Sequence, residues 1–345
     1  MVQTELQERF RVSSYYVQAN FSRYSSMSRM IALTGATGFI GGTIARRLEA
    51  AGWQIRALVR PNSLATSHSR TAAEWVIGDL EDLDSIRSLV RNVYGVIHCA
   101  GAVRGASQAH FNRVNVDGVA RLVQAAIEQH RVPRFLLVSS LAAREPEISP
   151  YAASKRLGEK ALAAQAGNMK WTILRPPAVY GPGDKELLPL FRLIGCGIAP
   201  IMGSDSARFS LLYVEDLAEA VVSWLNCSKN ERDVFELHDG HHNGYAWNDV
   251  IDAVARLNGK SVFRLKVPTT ALQFLAGLNV LSARLFDYAP MLTPGKVHEI
   301  THPNWVCDND AFSRATGWSP RVSLEEGLRR TLKIQPQRPW RSQSN

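Results

Sequence analysis

Two short segments of this 345-residue chain carry residue types that suit nucleotide binding and proton transfer. The first, Gly35-Ala36-Thr37-Gly38-Phe39-Ile40-Gly41, follows a short apolar run and opens a segment with helical periodicity. A glycine turn between a strand and a helix aims backbone N–H groups and the positive helix end at an anion such as a dinucleotide pyrophosphate. The spacing is G-x-x-G-x-x-G, so the inference depends on this placement. We predict a phosphate site at Gly35, Thr37, Gly38, Phe39, Ile40 and Gly41.

The second segment contains Tyr151 and Lys155. Ser149 and Pro150 suit a helix N-cap and first helical residue, so Tyr151 and Lys155 would lie one turn apart on one helix face. A phenol has a pKa of about 10, and an ammonium nearby lowers it. Tyr151 could then exchange a proton with a hydroxyl or carbonyl oxygen, which the Ser140 hydroxyl would help to orient. In isolation, a surface helix pair would be a reasonable explanation of Tyr151 and Lys155, and a strand-end turn would be the better explanation of Ser140. Their occurrence together favours the chemical role.

The elements that must position these residues alternate along the first half of the chain. Strands are predicted at Ile31–Leu33, Gln54–Val59, Glu74–Ile77, Gly95–His98, Phe135–Val138 and Trp171–Leu174. Helices are predicted at Phe39–Ala51, Asp82–Asn92, Ser107–His130 and Pro150–Ala166. This alternation predicts an α/β fold with a doubly wound parallel sheet and a ligand at the carboxyl ends of its strands.

The alternation ends after Tyr180-Gly181-Pro182-Gly183-Asp184. We expect a nucleotide-binding domain at 28–180, to which 208–237 returns through strands at Leu211–Val214 and Val234–Leu237. A smaller substrate lobe is expected at 181–207 and 238–332. It would include an apolar helix at Ala271–Phe286, which is a core or lid helix or, alternatively, an interfacial membrane helix. Residues 1–27 are expected to be a disordered extension, with Met27 or Met30 as an alternative start, and 333–345 a tail.

Composition narrows the class of protein. The net charge is +9, and residues 1–30 and 321–345 supply six of these charges. Solvated tails or a contact with anionic lipid would explain them, whereas a basic stripe with interleaved aromatics, as in nucleic-acid binders, is missing. The four cysteines are far apart, which favours a reducing, cytoplasmic compartment. The segment from His298 to His302 matches H-E-x-x-H, but Pro303 would disturb the helix that this zinc motif needs, so we expect no metal site.

These segments together resemble the extended, or an atypical, branch of the short-chain dehydrogenase/reductase superfamily, the NAD(P)-dependent epimerase/dehydratase group, over about residues 30–332. The further landmarks, in order, are Gly78-Asp79-Leu80, His98-Cys99-Ala100-Gly101, Asn115, Val138-Ser139-Ser140, Arg175-Pro176-Pro177-Ala178-Val179-Tyr180-Gly181-Pro182-Gly183, Tyr213-Val214-Glu215-Asp216-Leu217 and Gly317-Trp318-Ser319-Pro320. The resemblance implies a Rossmann domain with a smaller C-terminal substrate lobe.

The resemblance also implies roles for individual residues. Ser140, Tyr151 and Lys155 would form the catalytic set, and Lys155 would also hold the nicotinamide ribose. The remaining cofactor contacts would come from Asp79 and Leu80 at the adenine, Ala100 and Gly101 beneath the cofactor, and Pro177 and Val179 beside the nicotinamide.

The end of the second predicted strand indicates which nicotinamide cofactor binds. NAD-specific sites place Asp or Glu there to bond the ribose hydroxyls. Here Ala57-Leu58-Val59 is followed by Arg60, and no acidic residue occurs before Glu74. A guanidinium suits the 2′-phosphate of NADP in charge and geometry. We predict NADP, with NAD as the alternative.

We therefore expect an NADP-dependent enzyme that interconverts a secondary alcohol and a carbonyl on a small molecule. The lobe from Ser261 to Pro320 resembles the hydroxysteroid dehydrogenase and dihydroflavonol reductase branch. Only ten residues separate Ser140 from Tyr151, whereas extended members usually carry a longer loop there. Two alternatives remain, a nucleotide-sugar epimerase or dehydratase and a non-catalytic NADPH-binding structural or sensor subunit. A homodimer and a peripheral membrane contact are also left open.

Overall fold

A central parallel sheet organises the computed structural model, which describes residues 29–63, 72–227 and 232–334. Its strands, numbered in chain order, are β1 (Met30–Thr34), β2 (Gln54–Val59), β3 (Glu74–Ile77), β4 (Gly95–His98), β5 (Arg134–Val138), β6 (Trp171–Arg175), β7 (Ala178–Tyr180), β8 (Ile198–Met202), β9 (Arg208–Phe209), β10 (Leu211–Tyr213), β11 (Asp233–Glu236), β12 (Phe263–Val267) and β13 (Asn304–Trp305). Within the described residues, seven of them form one sheet in the order β11-β6-β5-β4-β1-β2-β3. Every pairing in it is parallel, so the predicted doubly wound sheet is confirmed.

Helices cover both faces of this sheet and build the rest of the molecule. They are α1 (Phe39–Ala50), α2 (Leu83–Val90), α3 (Gln108–Asn112), α4 (Gly118–Ile127), α5 (Pro150–Gln165), α6 (Leu188–Gly195), α7 (Val214–Asn226), α8 (Trp247–Asn258), α9 (Thr269–Phe286), α10 (Pro294–Thr301), α11 (Asp310–Thr316) and α12 (Leu324–Leu332). A π-helical turn, Arg113–Asp117, joins α3 to α4. In the part of the chain that the structure describes, no helix has the length and hydropathy needed to span a bilayer.

The strands are apolar on both faces because each face is packed against helices. Leu33 and Leu136 contribute to one buried cluster, together with Leu48 of α1 and Trp224 of α7. On the other face Phe135 and its neighbours pack against α2, α4 and α5. Burial on both faces explains why these strands appear in the sequence as continuous apolar runs rather than alternating ones.

The segments after β6 divide between the sheet and a smaller lobe. Of the two segments expected to return to the sheet, Val234–Leu237 does so as β11, at the edge beside β6. Leu211–Val214 instead contributes β10, which pairs with β7 in a separate two-stranded sheet. A third buried cluster, which includes Phe191, Val250 and Leu328, lies in the lobe among α6, α8 and α12.

The structure describes the start of the predicted C-terminal tail but none of the predicted N-terminal extension. The predicted extension at 1–27 and residues 335–345 of the predicted tail lie outside the described residues. Residues 324–332 form α12, whose Leu324 and Leu328 are buried. Arg329 and Arg330 therefore belong to a packed helix, where both pair with Glu326, and the solvated-tail interpretation is wrong for them.

Candidate active site

The glycine turn forms a close junction between β1 and α1. Gly35 has a φ of +77°, and a Cβ there would lie 2.7 Å from the Ala100 backbone nitrogen, so only glycine fits. A Cβ on Gly41 would lie 2.1 Å from the Gly35 carbonyl oxygen, which holds the helix against the strand end. Gly38 is the exposed N-cap of α1, without a side-chain cap or an acidic residue in the first turn. The turn thus presents bare backbone and a positive helix end, as a pyrophosphate requires.

The loop after β4 passes beside this turn and is held by side-chain hydrogen bonds. Thr34 Oγ1 accepts hydrogen bonds from the Cys99 and Ala100 backbone nitrogens, each at 3.2 Å. The same hydroxyl lies 2.7 Å from His98 Nδ1, and burial lowers the pKa of His98 to about 3, so the ring is neutral. A Cβ on Gly101 would lie 3.8 Å from Lys155 Nζ. Ala100 and Gly101 therefore lie between the phosphate turn and the predicted catalytic lysine.

The predicted adenine-side residues follow β2 and β3, which are neighbours in the sheet. Arg60 is exposed directly after β2. Asp79, also exposed, follows β3, and its Oδ1 accepts hydrogen bonds from the Glu81 and Asp82 backbone nitrogens. Leu80 packs under Gly118 of α4. These residues stand at the carboxyl ends of parallel strands, where doubly wound folds bind nucleotides.

Tyr151 and Ser140 meet although they come from different elements. Ser149 caps α5 by accepting a hydrogen bond from the Ala152 nitrogen, with Pro150 as the first helical residue, as predicted. Tyr151 therefore projects from the first turn of α5. Its phenol lies close to the side chain of Ser140, which follows β5. Burial raises the pKa of Tyr151, while the Ser140 side chain opposes that shift.

Adjacent serines at the end of β5 have different partners. Ser139 is buried and its hydroxyl donates to Glu159 Oε1 at 2.6 Å. Glu159 in turn accepts two hydrogen bonds from Arg175, at 2.9 and 2.6 Å. Ser139 therefore joins β5 to α5 and β6, while Ser140 is the serine that faces Tyr151.

Lys155 lies one turn after Tyr151 and is buried. Its Nζ donates to the Val138 carbonyl oxygen at 3.0 Å. Burial lowers its pKa to about 8, while Cys99 and Glu159 act in the opposite direction. The same burial raises the pKa of the Cys99 thiol to about 12. The role expected of Lys155 toward Tyr151 and a cofactor ribose stays a prediction.

The short connection from Ser140 to Tyr151 folds into two tight 3₁₀ turns, Leu141–Arg144 and Pro146–Ile148. The Leu141 nitrogen donates to the Pro176 carbonyl at 2.8 Å, which draws the segment containing Pro177 and Val179 alongside Ser140. The second turn lines the cavity described below. Ten residues are thus enough both to bring Ser140 to Tyr151 and to contribute a wall of the pocket.

Two residues that we did not predict as site residues approach Tyr151 from the far end of the chain. Lys296 of α10 places its Nζ 5.8 Å from the centroid of the Tyr151 ring and 2.8 Å from Glu299 Oε2. Glu299 is buried, and its other oxygen accepts the Ser149 hydroxyl at 2.5 Å. The Lys296 charge lowers the pKa of Tyr151 and the Glu299 charge raises it. A cation of the smaller lobe therefore acts on the predicted acid/base.

The side chains of the H-E-x-x-H segment have other partners and are not arranged as a zinc site. The Glu299 carboxylate is engaged by Lys296 and Ser149, and α10 ends at Thr301, before His302. The His302 ring packs on Trp305 at a centroid distance of 4.4 Å. Among residues 29–63, 72–227 and 232–334 there is no group of three or more His, Cys, Asp or Glu side chains that could hold a metal ion.

A cavity of about 590 Å³ lies over Tyr151. The loop after β4, the turns after β5 and the start of α5 form one side, and the segment from α9 to α10 forms the other. Its apolar lining includes Val103, Phe111, Ile148, Val280 and Met291, and its polar lining includes Tyr151, Lys296, His298 and Glu299. Tyr151, Lys296 and Glu299 thus lie together in the wall of the pocket, which also contains apolar side chains.

Comparisons with known proteins agree with this architecture. The family model described as NAD dependent epimerase/dehydratase family matches residues 31–237. The chain is 34% identical over 304 residues to ceramide reductase of Caulobacter vibrioides, covering 88% of this chain and 93% of the relative. It is 27% identical over 336 residues to 2-alkyl-3-oxoalkanoate reductase of Stenotrophomonas maltophilia, covering 87% and 97%.

A solved structure supports the fold. The crystal structure of UDP-glucose 4-epimerase from Thermotoga maritima with UDP-glucose superposes with a TM-score of 0.69 at 21% identity, covering 88% of this chain and 98% of that one. At this identity the likeness concerns the fold alone. The family match and the relatives extend it to the class of chemistry. The chain belongs to the NAD-dependent epimerase/dehydratase family of extended short-chain dehydrogenases/reductases, whose members are NAD(P)-dependent reductases and epimerases.

Proposed function

We propose that this protein is an NADPH-dependent reductase that converts a ketone on an alkyl-chain substrate into a secondary alcohol. The observation that carries the proposal is the position of Tyr151, which lies close to the Ser140 side chain and lines a cavity with both polar and apolar side chains. The names of two relatives, ceramide reductase and 2-alkyl-3-oxoalkanoate reductase, support both the reaction and the substrate class.

The residues present fit a nicotinamide dinucleotide. Gly35 lets the glycine turn pass close to Ala100, and Gly38 leaves exposed backbone at the start of α1, where a pyrophosphate would bind. Arg60 would pair with a 2′-phosphate, and Lys155 would hold the ribose. The reduced cofactor, when bound, supplies a hydride to the carbonyl carbon. The neutral His98 adds no charge behind the loop that carries Ala100.

The protein's own groups handle the proton. The Ser140 hydroxyl donates a hydrogen bond to the substrate carbonyl oxygen and fixes its position beside Tyr151. As the carbonyl carbon is reduced, its oxygen takes the Tyr151 proton, leaving a phenolate and forming the alcohol. The Lys296 ammonium stabilises that phenolate, because a nearby positive charge favours the charged form. Burial favours the protonated phenol in the resting enzyme, which suits a proton donor.

Tyr151→Phe tests this assignment with a long-chain β-keto amide or β-keto ester as substrate and NADPH. It removes one oxygen and keeps the ring, so packing and nucleotide affinity should survive. Turnover should fall by roughly 10²–10⁴, as expected for the loss of a positioned general acid. Tyr94→Phe is the matched control, since Tyr94 precedes β4, at the end of the sheet away from the site, and packs on Trp53.

Three outcomes would contradict the proposal. Wild-type turnover by the Tyr151→Phe variant would exclude the tyrosine mechanism. Turnover of nucleotide sugars alone, with NAD retained through purification, would indicate an epimerase. Tight NADPH binding without turnover of ketones, alcohols or nucleotide sugars would indicate a non-catalytic binding subunit.

A further inference from the structure

Helix α9 exposes an apolar stripe to solvent. Phe274, Leu278, Leu281 and Leu285 follow one another at intervals of four, three and four residues, which places them on one helix face. Their exposed fractions are 68, 46, 55 and 72%. The eighteen residues of α9 include a single charged side chain, Arg284. Soluble proteins seldom leave such a continuous apolar surface without a functional partner.

The opposite side of the same helix is apolar as well. Leu272, Ala276 and Ala283 are buried, and the first two belong to a small cluster with Val297 of α10. At about 100° per residue these side chains lie roughly half a turn from the exposed stripe. A helix that is apolar on both sides is typical of protein interiors and of membrane surroundings. The inner side of α9 is packed in the protein interior, whereas its outer stripe is not covered by any of the described residues.

The helix that carries the stripe also reaches the candidate active site. Val280, also on α9, lines the cavity over Tyr151, and so does Met291 in the segment that leads from α9 to α10. One helix therefore carries both the outer apolar surface and part of the inner apolar wall.

Charge distinguishes among the occupants that this surface could take. Between Lys260 and Tyr288 there are four cations, Lys260, Arg264, Lys266 and Arg284, and one carboxylate, Asp287. Arg264 and Lys266 pair with Asp252 and Asp205. The whole chain carries a net charge of +9. A second copy would bring the same positive charge against this surface, whereas an anionic bilayer attracts that charge and accepts an apolar helix face.

We propose that the outer stripe of α9 docks on a lipid bilayer surface, from which the alkyl chain of the substrate enters the cavity. The substrate class rests on the proposed reductase function, whereas the docking of α9 does not. The helix would lie in the interface between headgroups and acyl chains, with Phe274, Leu278, Leu281 and Leu285 directed into the bilayer.

Vesicle flotation of the full-length protein tests the docking without any turnover. The vesicles are phosphatidylcholine alone and phosphatidylcholine with phosphatidylglycerol. We expect the wild type to float with both and more strongly with the anionic mixture. The double variant L278E/L285E should bind both at least about tenfold more weakly, since two leucines no longer enter the bilayer. L278Q/L285Q, which adds no charge, should lose binding in the same direction.

The matched control is L83E/V132E, because Leu83 and Val132 are also exposed apolar residues but lie in the sheet domain. It should bind vesicles as the wild type does. Neutral vesicles at high salt separate the apolar contribution from any attraction of the basic ends of the chain, which salt screens. NADPH affinity of each variant verifies that it is folded.

Activity measurements connect docking to the substrate. L278E/L285E should lose turnover of a long-chain ketone presented in vesicles and keep turnover of a short, water-soluble ketone. If no ketone is reduced but flotation depends on the stripe, the proposed function fails while docking stands. Wild type that does not float, or stripe variants that float equally well, would overturn the docking. So would light scattering that shows a wild-type dimer and a monomeric L278E/L285E variant, which would make a second copy the occupant.

Discussion

The two sides of Tyr151 are built in different ways. On one side lies the central sheet, which is packed on both faces and in which residues such as Leu136 are completely buried. On the other side lies α9, which packs on the rest of the protein through a small cluster around Leu272 and Ala276 and leaves Leu281 more than half exposed. The cofactor side is thus a rigid part of the fold, and the substrate side is a thin apolar wall.

This difference shows how one family can keep its chemistry and change its substrates. The groups that would meet the cofactor stand at strand ends, and moving any of them would disturb the sheet. The groups that would meet the substrate come from α9, α10 and the short turns after β5, which share few side chains with the two sheet clusters. Changes in that wall alter the pocket at little cost to the fold.

Two leucine-to-alanine variants, one on each side of Tyr151, should differ in their loss of unfolding free energy. Leu136→Ala on β5 opens a cavity in a closed core and should cost about 2–5 kcal/mol of unfolding free energy. Leu281→Ala on the outer face of α9 should change it by no more than about 0.5 kcal/mol. Urea unfolding of both variants measures the difference. Equal losses would mean that the outer face of α9 is packed within the protein.

The cofactor side can be tested at Arg60, the exposed residue after β2. Arg60→Asp removes a partner of a 2′-phosphate, adds repulsion and offers the ribose hydroxyls an acceptor. NADPH affinity should fall at least about tenfold, which is about 1.4 kcal/mol, while NADH affinity should hold or improve. Isothermal titration measures both, with Arg131→Asp at a distant exposed position as the control. A wild type that prefers NADH would show that the NADP assignment is wrong.

The junction of the two sides can be tested at Lys296. The Lys296 ammonium lowers the pKa of Tyr151, so Lys296→Met should raise that pKa further above its ordinary value. Alcohol oxidation needs the phenolate, so the pH at which the oxidation rate rises should move upward. The reaction should therefore be several fold slower at neutral pH. Lys296→Arg keeps the charge and should keep the profile. An unchanged pH profile with an altered KM would make Lys296 a substrate-binding residue only.

The sequence predicted the sheet side of the site well because its signals are local. Strand and helix periodicity placed β2, β3 and β4 at their observed bounds, and the Ser149 and Pro150 signals placed the start of α5. The glycine turn needed only its position between a strand and a helix. Each of these inferences depends on residues within one or two turns of each other.

The substrate side was predicted less completely because its contacts are distant in the chain. Glu299 accepts a hydrogen bond from Ser149, 150 residues earlier, and no local pattern joins them. The motif from His298 to His302 drew attention to metal chemistry, while the residue that reaches Tyr151, Lys296, lies two positions before it. Leu211–Val214 is a continuous apolar run that suits a buried strand, but such a run does not say which strand it pairs with, and it joined β7.

The burial of the Cys99 thiol near Lys155 affects how readily this thiol reacts with oxidants. Alkylating and oxidising reagents attack the thiolate, and a Cys99 pKa of about 12 leaves about one thiol in 10⁵ ionised at pH 7. Cys307 has a similarly raised pKa, whereas Cys196 is exposed at the end of α6. Mild oxidants and maleimides will therefore modify Cys196 first, far more readily than the thiol in the site. The thiol near Lys155 is thereby less reactive than the exposed one toward reagents that attack thiolates.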